Sequence, residues 1–291
     1  MAINLALADY VSNPEIDLTL RLALELQRPV LIEGPAGTGK TSIAIAAART
    51  LNWHLYRIQC FEGIQAESVI GEFDYKRQLL HIELERLRSD TSKNRVDMDE
   101  IFSREFFIER PLFLSFINSE PSVLLIDEID KSDEEFEAFL LEALGERQIT
   151  IPELGTFSAQ TDDQIVILTS NSYRDLSEPL RRRCLYLYID FPTPERERQI
   201  LATHTGLDFD TPLLGSITGI VQQIRTYDLR KLPSIAETID WAKALIYLGK
   251  EHIDKRTLVE TLPVLLKYEE DIQRLETQIT EIIRLGNKEV R

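Results

Sequence analysis

The sequence predicts an α/β domain on a parallel sheet over residues 1–191, followed by a small all-helical domain over 192–291. Three observations predict it. Short apolar runs at 30–32, 122–126 and 165–168 alternate with helical stretches, the pattern of a parallel sheet covered on both faces. A glycine-rich turn joins the first run to the Ala-rich stretch 42–50, a strong helix former. Beyond Phe191-Pro192-Thr193-Pro194 strand signals largely vanish, and proline does not fit a continuing central strand.

Taken in order, Ser12-Asn13-Pro14 is a helix start, and Ile16, Leu20 and Leu24, with Leu18, Leu22 and Leu26, make the helix amphipathic up to Arg28-Pro29. The strand at 30–32, the turn and the helix from 42 form one strand–loop–helix unit, and the alternation over 54–60 predicts a second strand. Residues 65–88 read as helix of mixed polarity, and the polar stretch 89–100 as a surface loop or insertion. Strand 122–126 precedes a helix over 132–144 with Phe136, Phe139, Leu140 and Leu144 on one face. Between that helix and strand 165–168, alternation over 147–160 around Glu153-Leu154-Gly155 predicts a β-hairpin. Near the end, Leu265, Tyr268, Ile272, Leu275, Ile279 and Ile282 fall at three- and four-residue spacings, which predicts a last helix packed on its own domain.

Composition narrows the function classes. With 291 residues, 43% of them hydrophobic, the chain can bury a real core and is not a disordered segment. Its net charge of −16 repels a nucleic-acid backbone. No apolar stretch approaches the ~20 residues that span a bilayer, and the first residues lack a basic n-region, so the expected location is the cytoplasm. Cys60, Cys184 and four scattered histidines offer neither a disulfide framework nor a metal cluster; the two thiols read as free.

Gly34-Pro35-Ala36-Gly37-Thr38-Gly39-Lys40-Thr41 fits GxxxxGK followed by Ser or Thr, in the strand-to-helix context that defines a P-loop. Glycines let backbone N–H groups curl toward phosphate oxygens, and the helix entered through Ser42 points its positive end at them. Lys40 adds a mobile cation for the β- and γ-phosphates, and Thr41 an oxygen for Mg²⁺. The second half is the strand ending in Asp127-Glu128, where Asp127 can hold the Mg²⁺ shell and Glu128 can orient or deprotonate water. No guanine-type NKxD motif follows, so the expected nucleotide is ATP.

With GPAGTGKT, LLIDEID, the strand IVILTSN and the segment EPLRRRC in this order, the chain resembles an AAA+ ATPase. The hairpin at 147–160 resembles the pre-sensor-1 hairpin clade, with the 65–118 segment as the place for a helix-2 insertion. RIQCFEG, EFEAFLLEALGERQITIPELGT and LRKLPSIAETIDWAKAL look like a MoxR-type AAA+ ATPase from about residue 13 to about 250. The helical domain is then the small lid of that superfamily. By position, the resemblance implies sensor 1 at Asn171, holding the attacking water or the γ-phosphate, and sensor 2 at Arg230. It implies an arginine finger at Arg183 first and Arg182 second, with at least one of Arg181, Arg182 and Arg183 structural. Gln59 is a candidate for the polar residue that restrains Glu128.

The resemblance implies a Mg-ATP-dependent ring, a hexamer, that remodels or matures a client protein with a von Willebrand factor A (VWA) domain partner. A reactivase of a carbon-fixing enzyme, a nucleic-acid motor or loader and a non-hydrolysing ATP-sensing module are the alternatives. The acidic balance and a hairpin whose one basic residue is Arg147 weigh against the motor. The presence of Glu128, Asn171 and a candidate finger weighs against the sensor.

Overall fold

The computed structural model describes residues 10–88 and 98–286. The described chain divides into two units, one from Pro14–Glu33 and Ala47–Leu187, the other from 10–13, Gly34–Ala46 and 188–286. Its strands are β1 (Val30–Glu33), β2 (His54–Gln59), β3 (Gly71–Phe73), β4 (Phe107–Glu109), β5 (Ser122–Asp127), β6 (Gln148–Ile151), β7 (Gly155–Ser158), β8 (Gln164–Ser170) and β9 (Leu185–Tyr188).

In the first unit the order β2-β5-β8-β1-β9 forms a five-stranded sheet. The pairs β2/β5, β5/β8 and β1/β8 are parallel. Every residue of β1 and β5 is buried, which is why those runs are continuously apolar instead of alternating. Phe113, Phe116, Leu124, Ile126, Phe136 and Leu140 belong to the core of this unit. The register sets Gln59 beside Asp127.

Two features of this unit differ from the sequence expectations. The 65–88 stretch is not one helix: a short helix Glu67–Ile70 leads into β3, which pairs antiparallel with β4 before the helix Tyr75–Arg88. Two three-residue strands carry too little periodicity to read. The edge strand β9 was also invisible, being four residues squeezed between a helix and Phe191-Pro192. The polar 89–100 segment lies outside the described residues except for its end, which opens the helix Met98–Ile101. The hairpin at 147–160 is present as β6 and β7.

In the second unit, Leu214, Ile217, Ile220, Trp241, Leu245 and Leu258 belong to an apolar core. Arg225 and Glu197, almost fully buried, pair at 2.8 Å. The C-terminal apolar seam is not one continuous helix. It breaks into Lys255–Leu265, Glu269–Glu276 and Ile279–Gly286, the first break made by the extended backbone of Leu266 and Tyr268. Leu265, Leu275, Ile279 and Ile282 nevertheless all enter the core. No described helix is long and apolar enough to cross a membrane.

Candidate active site

The carboxylate half is built where β2, β5 and β8 end. Asp127 closes β5 and is 2% exposed, so both of its oxygens need partners. Its Oδ1 accepts from the Thr169 hydroxyl of β8 at 2.6 Å, and that hydroxyl accepts the Glu128 N–H at 2.9 Å. Its Oδ2 accepts from the Arg57 guanidinium of β2 at 2.7 Å.

Glu128 leaves the strand in left-handed backbone, φ 56° and ψ 50°, an uncommon state for a residue with a side chain. Its Oε2 accepts from the Gln59 amide at 2.7 Å and from Lys131 at 2.6 Å, while its Oε1 accepts from the Asn171 amide at 3.2 Å. The hydrogen bond to Glu128 raises the Lys131 pKa above the ordinary lysine range. Asn171 is itself positioned by buried Asp130, whose Oδ2 accepts the N–H groups of Asn171 at 3.0 Å and Tyr173 at 2.8 Å. Thus Asp127, Glu128, Asn171 and Gln59 come together in one network. Arg57, Thr169, Asp130 and Lys131 belong to it too. No local motif marks Arg57 and Thr169; only strand register does.

Burial, and then the charges of Asp127, Asp130 and Glu128, push the Cys60 thiol up to about 12. Cys184 is pushed to about 12 by burial, with Arg28 opposing. Both are held as neutral thiols.

The three arginines of the helix Glu178–Arg183 separate by environment. Arg181 pairs with buried Glu33 at 2.6 Å and is structural. Arg182 makes an exposed i,i+4 pair with Glu178 at 2.8 Å. The Arg183 guanidinium comes up against the helix Glu134–Glu146, where a Cβ at Gly145 would stand 1.8 Å from its Nη1. Among the described residues its guanidinium has no carboxylate partner. Arg28 donates to the Arg182, Arg183 and Cys184 carbonyls at 2.5, 3.0 and 3.4 Å, fixing the C-terminal end of the helix.

The phosphate half lies in the second unit. Gly34 follows Glu33 of β1 directly, and a Cβ there would stand 1.9 Å from the Ile189 carbonyl oxygen. Gly37 has φ +75°, and a Cβ on it would meet the Ser234 Cβ at 2.3 Å; both positions demand glycine. Lys40 is 5% exposed and donates to the carbonyls of Gly34 and Pro35, each at 2.7 Å, so the loop closes on its own cation. Thr38 donates to the Pro35 carbonyl at 2.9 Å. Ala36 lies within the same loop, and Thr41 and Ser42 lie in the first turn of the helix Lys40–Leu51. Against the loop stand Tyr10, 3.5 Å from a Cβ built on Gly39, and Ile235, whose N–H reaches the Gly37 carbonyl at 3.2 Å.

The Arg230 guanidinium stacks 4.1 Å from the Tyr268 ring centroid, and its backbone N–H is held by Asp271 at 2.9 Å. Ser234 and Ile235 stand at the P-loop.

The donors fit a hard divalent cation. Carboxylate and hydroxyl oxygens suit Mg²⁺, and a cation, the Arg57 guanidinium, already stands against Asp127 Oδ2. Among the described residues no group of three or more His, Cys, Asp or Glu is poised for a metal. A nucleotide-bound Mg²⁺ needs only one or two carboxylates, because phosphates and water supply the rest.

Residues 29–184 match the AAA domain family, dynein-related subfamily. The chain is 28% identical over 219 residues to the gas vesicle ATPase GvpN of Haloferax mediterranei, covering 72% of this chain and 60% of that protein. It is 24% identical over 210 residues to the protein NorQ of Paracoccus denitrificans, covering 70% and 68%. An uncharacterised protein of Staphylococcus haemolyticus is 23% identical over 264 residues, 87% of this chain and 92% of that one. The chain therefore spans about 60% of the length of the gas vesicle ATPase. Since the matched segment takes in the P-loop, both carboxylates, Asn171 and the arginine-bearing helix, the chain belongs to the AAA domain family, dynein-related subfamily, as a MoxR-type AAA+ protein.

Proposed function

We propose that the chain is a Mg-ATP-dependent ATPase that assembles into a ring, a hexamer, and remodels or matures a client protein, with a VWA-domain protein as adaptor. The observation that carries the reading is the environment of Glu128: a carboxylate next to buried Asp127, with the Gln59 amide on one oxygen and the Asn171 amide on the other. Similarity to a gas vesicle ATPase supports hydrolysis. Two reduced cysteines fit a reducing cytoplasm.

In this reading Lys40 leaves the Gly34 and Pro35 carbonyls for the phosphates, while Thr41 and Asp127 are the metal ligands. Bound Mg²⁺ supplies neutralisation of the phosphate charge. Glu128 accepts the proton of the attacking water and Asn171 orients that water. Gln59 restrains Glu128 in the resting chain. Arg183, with Arg182 second, reaches a neighbouring subunit's γ-phosphate, which makes the ring obligatory for turnover.

The test is Mg²⁺-dependent phosphate release against protein concentration, with sedimentation in parallel and mixtures of Arg183→Ala with Glu128→Gln subunits. Activity per subunit should climb as the ring assembles and recover in part in the mixture. Concentration-independent turnover by a monomer, or tightly bound ATP without turnover, would overturn it.

A further inference from the structure

Arg57 has no part in the hydrolytic scheme, yet it is the side chain that joins the two carboxylates. One nitrogen, Nη2, donates both to Asp127 Oδ2 at 2.7 Å and to Gln59 Oε1 at 2.9 Å. The Gln59 amide is thereby oriented, since with its oxygen on Arg57 its nitrogen is turned to Glu128 Oε2, at 2.7 Å. Four side chains form one relay: Asp127, Arg57, Gln59, Glu128.

The two ends of the Arg57–Asp127 pair are unequal. The Arg57 side chain is 48% exposed and that of Asp127 is 3% exposed. Losing the pair costs the arginine little, because water replaces the contact. Buried Asp127 cannot exchange that contact for water in the same way. The pair is therefore built for exchange of one cation for another. Arg57 also sits on β2, at the outer edge of the sheet, where its side chain has solvent to swing into.

We propose that Arg57 is a positioning residue that couples metal arrival at Asp127 to release of Glu128. It occupies Oδ2 of Asp127 in the resting chain, and the nucleotide-borne divalent cation displaces it. Once displaced, it no longer holds Gln59 Oε1, so the Gln59 amide is free to turn and Glu128 loses one of its restraints. The proposal rests on the ATPase reading above and adds to it a resting state in which the metal subsite and the restraint on the base are one device.

The experiment uses the full chain and a fluorescent non-hydrolysable ATP analogue, with Mg²⁺ titrated from an EDTA baseline. Wild type, Arg57→Gln and Arg57→Lys are compared for Mg²⁺ midpoint, for analogue affinity in EDTA and for steady-state phosphate release. Arg57→Gln should lower the Mg²⁺ midpoint at least threefold, leave affinity in EDTA within twofold and raise basal turnover. Arg57→Lys, which keeps a cation but lacks the planar fork, should raise turnover with a midpoint near wild type, and it carries the test if Arg57→Gln fails to fold. A merely structural role would shift melting temperature without moving the midpoint. An unchanged or raised midpoint in Arg57→Gln, or unchanged turnover in Arg57→Lys, overturns the proposal while leaving the ATPase reading intact. Wild-type protein that shows no Mg²⁺-dependent nucleotide binding overturns the ATPase reading itself, and the relay with it.

Discussion

The phosphate half and the carboxylate half hold their charged side chains in different ways. Lys40 donates to carbonyls five and six residues before it in the same loop. Asp127 and Glu128 are reached from far along the chain, by Arg57 and Gln59 of β2 and by Thr169 and Asn171 at the end of β8, 41 to 70 residues away, with Lys131 as a local partner of Glu128. A local arrangement travels with its motif. A long-range one exists only once the sheet has formed, so the carboxylate half should be coupled to folding.

The largest expected effect tests function in both halves. Lys40→Ala and Glu128→Gln should each lower phosphate release by about 10²-fold or more. Glu128→Gln keeps nucleotide binding and Lys40→Ala loses it, as an equilibrium binding assay would show.

Next comes the pairing of Arg181 with Arg183. Arg181→Ala strands the Glu33 carboxylate, whose side chain is 6% exposed, and should destabilise the chain by about 3 kcal/mol. Adding Glu33→Gln should recover part of that. Arg183→Ala, on an exposed side chain without a carboxylate partner, should change stability by less than about 0.5 kcal/mol. Its effect should appear in turnover of the assembled ring.

Thr169→Val sharpens the contrast further. It keeps shape but removes one hydroxyl that serves both Asp127 Oδ1 and the Glu128 N–H. The expected loss is about 2 kcal/mol in urea denaturation, with turnover reduced as well. Stability and activity should fall together here.

At neutral pH the smallest effect is in the thiols, whose contribution changes only above pH 9. Cys60 and Cys184 ordinarily titrate near 9 and are held to about 12 in the folded chain. The folded state therefore keeps protons that the unfolded state gives up. The stabilisation is complete below pH 9 and is lost as pH rises toward 12, at up to about 1.4 kcal/mol per pH unit per thiol. Denaturation at pH 7.5, 9.5 and 10.5 should show the slope, and the double Cys→Ala variant should flatten it. At pH 8 a thiol reagent should label neither cysteine until denaturant is added.

How legible each element was follows the same division. The P-loop, the Asp127-Glu128 pair, the hairpin and the buried strands of the sheet were readable because their signals are contiguous. Strands β3, β4 and β9 were not, since three or four residues carry no period. The seam at 265–282 was readable as buried but not as broken, because spacing reports which face is apolar and not whether Leu266 stays helical.

The sequence by itself determined the glycines, the lysine and the two carboxylates, because each depends on covalent neighbours: a turn that needs glycine, a helix start, a strand end. Tertiary structure alone decided that Arg181 is structural while Arg183 is not paired, that Arg230 stacks on Tyr268, and that Arg57 stands between Asp127 and Gln59. Those outcomes turn on which charged side chain reaches which buried partner. Strand register and helix packing fix that distance, and no local pattern of residues encodes it.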